Sequence, residues 1–176
     1  MPLMKFHTLV DWKRSQNLDD DQTFGRIVAT GERYRLYLEM IRPKLPTDFQ
    51  RLLDLASLHD GEVLAIEIEP SSAKAALWCR ALDNSSEGRD GRYLRLEYHG
   101  LKKFHSVGPE EESFGGDGYG DIGNDEIELL SDGTFEHRFL FSTGIELGLT
   151  FADFKFIELP WSELRASPYG RWRKLL

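Results

Sequence analysis

Near residue 61 the apolar residues of this chain change rhythm, and that change limits the folds open to it. Before it they recur every three or four positions, as on a helix; after it they alternate, as on a strand. From Asp19 to Ile41, the residues Phe24, Ile27, Val28, Tyr34, Leu38 and Ile41 fall at helical spacing. Asp19, Asp20 and Asp21 favour a helix N-terminus through the macrodipole, and Pro43 marks the end. Gly25 and Gly31 weaken this helix, each costing about 1 kcal/mol relative to alanine. A second helix is expected from Thr47, because Thr47-Asp48-Phe49-Gln50 reads as a capping box after Pro46. Phe49, Leu52, Leu53 and Ala56 form its apolar face, with Gly61 as the expected C-cap.

Beyond Gly61, Leu64, Ile66 and Ile68 point one way while Glu67 and Glu69 point the other, which describes a half-buried strand. Pro70 to Ser72 turns the chain into a second strand from Lys74 to Leu82. A polar loop from Asn84 to Gly91 leads to a third, in which Leu94, Leu96 and Tyr98 alternate with Arg95, Glu97 and His99. That strand has a candidate continuation past Gly100 to Val107. An acidic, glycine-rich stretch from Gly108 to Asn124 reads as a long loop. Ile127 to Leu130, the turn Ser131 to Gly133, and Phe135 to Phe141 then form a hairpin. Thr143-Gly144 turns again into Ile145, Leu147, Leu149 and Phe151, and Phe154 to Leu159 ends the series. Short turns between consecutive strands imply antiparallel pairing. The expected fold is α+β: two N-terminal helices packed on an antiparallel β-meander of six or seven strands. One domain is expected over 1–176, with a helical front end over about 4–60, the meander over about 62–159 and a basic tail over 160–176.

The net charge is −8, from 30 acidic and 22 basic residues. Such a surface disfavours nonspecific attraction to nucleic acid or anionic lipid unless a local basic patch overrides it. The one such patch runs from Arg165 to Lys174 and interleaves basic residues with Tyr169 and Trp172. Its expected role is to dock an aromatic on the body with its charges in water, so neither nucleic acid nor membrane is an expected partner. The lone cysteine, Cys79, excludes an intramolecular disulfide and lies in the apolar run from Ala75 to Ala81, where a buried, inert thiol is expected. The first ten residues lack a signal-type apolar core, and no stretch approaches the roughly 18 apolar residues of a membrane span. A cytoplasmic location is the expectation.

Several chemistries can be weighed residue by residue. His59-Asp60 pairs an imidazole with a carboxylate that could orient it as a general base. At the end of a helix, however, the same two residues serve as a macrodipole partner and a turn former, which is the preferred reading. His99 and His105 flank Gly100 and would join His59 at a ligand site only if the sheet brought them together. No two of these histidines lie at close metal-ligand spacing, so no zinc site is expected. His137 shares a strand face with Phe135, Phe139 and Phe141 and reads as a hydrogen-bonded core histidine. In the acidic loop, Asp117, Asp121, Asn124 and Asp125 supply hard oxygens suited to calcium. The glycine pattern is only about one imperfect copy of a calcium repeat, and the EF-hand spacing fails, so a solvated loop is favoured. The loop also lacks the Gly-Lys-Ser/Thr ending of a phosphate loop. Gly-x-Ser-x-Gly, His-Glu-x-x-His and Cys-x-x-Cys do not occur. Neither a cofactor nor catalysis is expected.

The chain carries Met4-Lys5-Phe6 with the nearby Trp12, the junction Leu58-His59-Asp60, and the hairpin from Asp125-Glu126-Ile127 through Asp132-Gly133. Through these motifs, over nearly all of residues 4 to 159, the chain resembles a family of uncharacterised bacterial proteins. The resemblance implies the same architecture and carries no activity. By fold-level analogy alone, proteins of comparable shape are similar to toxin-neutralising immunity proteins. The expected function is protein binding, with a basic protein as partner and an immunity-type inhibitor as one form. The alternative is a small-ligand or metal-binding protein, or an enzyme, using His59, Asp60 and the 99–105 segment.

Overall fold

The computed structural model describes residues 4–8, 10–11, 21–84, 91–108 and 119–159. The basic tail, Trp12 and Asp117 therefore lie outside the described residues. Helix α1 spans Asp21–Ile41 and passes through a 3-10 turn at Arg42–Lys44 into α2, Thr47–Leu55. Pro43 and Pro46 impose these breaks. The expected capping box does not form, because Thr47 is already helical and makes no cap bond. Gln50 turns back instead, its amide donating to the Leu45 carbonyl at 2.9 Å.

The largest correction to the helical front end is its boundary. Helix α2 stops at Leu55, and strand β1 runs over Ala56–Glu69. Two tertiary contacts end the helix early. Asn84, just past the next strand, donates its side-chain amide to the carbonyls of Leu53 and Asp54, both at 3.2 Å. Its backbone N–H donates to Leu55. These bonds satisfy the orphan carbonyls of a helix end. Ala56 and Leu58 are then buried at strand spacing. Gly61 is consequently no C-cap. It sits in a bulge of β1, where residues 58–61 stand opposite a single partner position. A Cβ there would lie 2.7 Å from the carbonyl oxygens of Arg80 and Leu58.

The strands continue as β2 (Lys74–Asp83), β3 (Gly91–His99), β4 (Lys103–Val107), β5 (Ile122–Leu129), β6 (Phe135–Phe141), β7 (Glu146–Phe151) and β8 (Asp153–Leu159). They form two four-stranded antiparallel sheets, β1-β2-β3-β8 and β4-β7-β6-β5, so α+β holds while the single meander of six or seven strands does not. The reason lies at two corners. Gly100, at φ +63°, swings β3 into β4, and Ala152 opposite it swings β7 into β8. The ladder persists around the bend: Lys102 N–H donates to Thr150 and Ala152 N–H to His99. One bent ribbon thus feeds both sheets, and a Glu62–Asp121 bridge joins β1 to β5 on the far side.

The two inner faces meet in one apolar cluster. Leu77, Cys79, Leu94, Leu96 and Tyr98 come from the first sheet; Phe139, Phe141, Leu147, Leu149 and Phe151 come from the second. Phe49 of α2 packs on Phe154 with ring centroids 4.7 Å apart. Helix α1 covers the edge of β5, where the Tyr34 and Tyr37 hydroxyls accept from the backbone N–H groups of Ile127 and Leu129 at 2.8 and 3.0 Å. An otherwise open strand edge is thereby closed.

Candidate functional site

The four histidine-segment candidates do not converge. His59 and Asp60 sit in the β1 bulge, with Nδ1 to Oδ2 at 3.1 Å and both side chains largely exposed. Asp60 adopts φ 59°, a left-handed conformation in which aspartate is tolerated. Both lie past the end of α2, so the helix-capping role does not hold. His99 lies in a groove of about 340 Å³ on the first sheet, with Nε2 3.4 Å from Glu97 beside Arg95 and Glu67. His105 belongs to the other sheet, where its ring covers Gly148 so closely that a Cβ there would stand 2.6 Å from it.

The calcium candidates separate as well. Asp121 lines one cleft, Asp125 lines another, and Asp117 is outside the described residues. Among the described residues, no group of three or more His, Cys, Asp or Glu side chains is arranged to hold a metal ion.

His59, Asp60 and Asp121 do share a cleft, with partners that sequence reasoning missed. It measures about 410 Å³ and is bounded by residues 6–8 and Asp11, by Ile27, Thr30 and Gly31 of α1, and by the β1–β5 seam at Gly123, Asn124 and Ser142. The N-terminal wall stands because Glu126, only 1 % exposed, gathers its backbone. The Glu126 carboxylate accepts from the N–H groups of Lys5, of Phe6 at 2.8 Å and of His7 at 3.4 Å, and from Arg138 at 3.2 Å. Glu146 accepts from the Met4 N–H at 3.2 Å. Arg138 also pairs with Glu128 and Glu136. Desolvation alone would raise the Glu128 carboxyl, but hydrogen bonds from Lys5 and Arg138 outweigh it and hold it below its ordinary value.

Within the wall, the Thr8 hydroxyl donates to Asp11 at 2.7 Å and accepts from the Asp11 N–H at 3.2 Å. His7 packs edge-on to Tyr34 at 5.4 Å. Burial pushes its imidazole below the ordinary value; the carboxylates of Glu126, Asp125 and Asp11 oppose that, and His59 adds to it. Among the described residues, no lysine or arginine lines this cleft. The signal for the wall was present in Met4-Lys5-Phe6, but nothing local connects that segment to a glutamate about 120 positions away.

A second polar feature lies inside the core. His137 is fully buried, with Nδ1 2.9 Å from the Tyr98 hydroxyl and Nε2 3.0 Å from Asp125 Oδ2. A carboxylate can only accept, so Nε2 carries the proton, and in the neutral ring Nδ1 accepts from Tyr98. Burial raises the Tyr98 phenol well above its ordinary value, so the hydroxyl stays protonated. This is the satisfied core histidine that its strand face predicts. Nearby Cys79 is pushed up to about 12, first by burial and then by Asp125, which leaves an unreactive thiol.

No protein-family model and no curated protein matches this sequence. Function must therefore be argued from the clefts. Among the described residues, no helix is long and apolar enough to cross a membrane.

Proposed function

We propose that the protein is a non-enzymatic, cytoplasmic binding module that receives basic side chains of a partner protein in the cleft lined by His7, Asp11, His59, Asp60 and Asp121. The observation that carries this reading is the sign of the cleft: three carboxylates at its walls and no lysine or arginine among its described lining. A net charge of −8 gives the chain as a whole the same sign. Complementary potentials speed encounter with a basic partner and are screened by salt. An immunity-type inhibitor that captures a basic toxin is one role that such a surface fills.

The cleft offers little to nucleophilic chemistry. Ser142 Oγ accepts from the Asp121 N–H at 3.0 Å, and His59 Nδ1 lies 3.1 Å from exposed Asp60. Among the described residues lining this cleft, no hydroxyl is shown hydrogen-bonded to an imidazole as an activated nucleophile would be. The resemblance to uncharacterised bacterial proteins brings no activity that would change this.

The test is capture from host lysate with the wild-type chain and an Asp60→Lys/Asp121→Lys variant. A basic protein retained by the wild type at low salt, lost at high salt and lost in the variant supports the reading. Absence of capture at both ionic strengths, or capture indifferent to the charge reversal, overturns it.

A further inference from the structure

The carboxylate of Asp125 is 23 % exposed and stands between a buried histidine and an apolar cleft. It lies on β5 opposite Phe139, whose ring is fully buried, and faces a cleft of about 290 Å³ between α2 and β1. Phe49, Leu52 and Leu58 supply apolar walls, with Ser57 and Asn84 at the rim. Among the described residues its side-chain hydrogen-bond partner is the His137 imidazole, and Oδ2 takes part. Among the described residues no lysine or arginine pairs with it, although carboxylates against apolar surface are ordinarily paired.

We propose that this cleft binds a small apolar monoamine, with its ammonium on Asp125 Oδ1 and its hydrocarbon body against Phe49, Leu52 and Leu58. Size sets the first limit. At about 30 Å³ per water-sized volume, the cleft holds roughly ten such volumes, which suits an alkyl or aryl amine rather than a larger metabolite. Charge sets the second, because an anion is repelled and a neutral body leaves Asp125 uncompensated. Coordination sets the third. A divalent cation needs about six oxygens, whereas the side chains lining this cleft offer one carboxylate, the Ser57 hydroxyl and the Asn84 amide oxygen.

His137 and Tyr98 are positioning residues in this arrangement. Asp125 fixes the imidazole tautomer, Tyr98 donates to Nδ1 and steadies the ring, the Nε2–H group holds Oδ2, and Oδ1 is left to the ligand. A buried Tyr–His–Asp relay ending at an apolar cleft is thereby given a ligand-facing end. The proposal is independent of the acidic-cleft reading and concerns a different cleft.

Hexylamine and 1-hexanol, matched in length, test it by calorimetry and by side-chain resonances. The wild-type chain should bind hexylamine at least about tenfold more tightly than hexanol, since a charge-assisted bond is roughly twice as strong as a neutral one. Saturation should shift the Leu52 and Leu58 methyls and the ring nitrogens of His137. Asp125→Asn keeps an acceptor for Nε2–H and should erase the preference for the amine, whereas Asp60→Asn/Asp121→Asn should preserve it. Equal binding of amine and alcohol by the wild type overturns the proposal even if Asp125→Asn fails to fold. So does amine binding that leaves the His137 nitrogens unmoved or that disappears with the Asp60/Asp121 variant.

Discussion

Glu126→Gln is the substitution whose consequences reach furthest. The carboxylate is 1 % exposed and gathers the N–H groups of Lys5, Phe6 and His7 together with Arg138. Glutamine keeps the shape, removes the charge and turns an NH₂ group toward donors that cannot accept from it. Hydrogen bonds to a charged group contribute about 1.5–3 kcal/mol each. The His7 bond, at 3.4 Å, counts least. Arg138 retains Glu128 and Glu136, so its guanidinium is not orphaned. The loss should therefore sit near the lower end of a broken buried pair, about 3 kcal/mol. For a chain of this size that lowers the melting temperature by roughly 6–12 °C, at about 2–4 °C per kcal/mol. The loss should be local as well as global. Amide exchange at Lys5 and Phe6 should accelerate by about two orders of magnitude, since each 1.4 kcal/mol is tenfold, while β2 and β3 amides follow only the global change. Calorimetry with residue-resolved hydrogen exchange reads both. A melting temperature within about 2 °C of wild type together with unchanged Lys5 and Phe6 protection would show that Glu126 does not anchor the segment.

Other expectations concern the bulge, the helix dock and pH. Asp60→Gly relieves a left-handed non-glycine residue and should stabilise the chain by about 0.5–1 kcal/mol, whereas Gly61→Ala should destabilise it by about 1–3 kcal/mol; denaturant titrations that reverse this order contradict the bulge geometry. Tyr34→Phe leaves the Ile127 N–H without its acceptor and should cost about 1 kcal/mol, with faster Ile127 exchange; unaltered exchange refutes the role of Tyr34 at the β5 edge. Folding lowers the His7 imidazole below 6.5, so the unfolded chain binds its proton first and stability falls as pH drops through 6.5 toward the folded value. His105 acts in the same direction, and His7→Gln should flatten the fall; melting curves between pH 7 and 5 that do not distinguish the variant from wild type exclude His7 as a source.

Local rules reached a good deal of this fold. Helical spacing up to Ile41, the breaks at Pro43 and Pro46, and the hairpin through Ser131–Gly133 each depend on neighbours in the chain, and each is present. His137 could be placed in the core because its strand face is otherwise aromatic. Where sequence reasoning failed, a distant partner decided. Helix α2 ends at Leu55 because Asn84 caps it and β2 recruits Ala56 and Ser57, so Gly61 and His59-Asp60 take bulge roles instead of helix-end roles. Asp125 looked like a loop ligand, yet the register against Phe139 turns it inward to His137.

Alternation along a strand says which residues share a side, but not which sheet a strand will join. That choice was made at Gly100 and Ala152, where one ribbon bends between two sheets and lets each bury its apolar face against the other. The clefts follow from the same closure. The walls of the largest described of them come from segments more than 100 positions apart, held by bonds such as Phe6 N–H to Glu126. Periodicity is a property of adjacent residues, whereas a carboxylate meeting a backbone across such a separation exists only once the chain has folded.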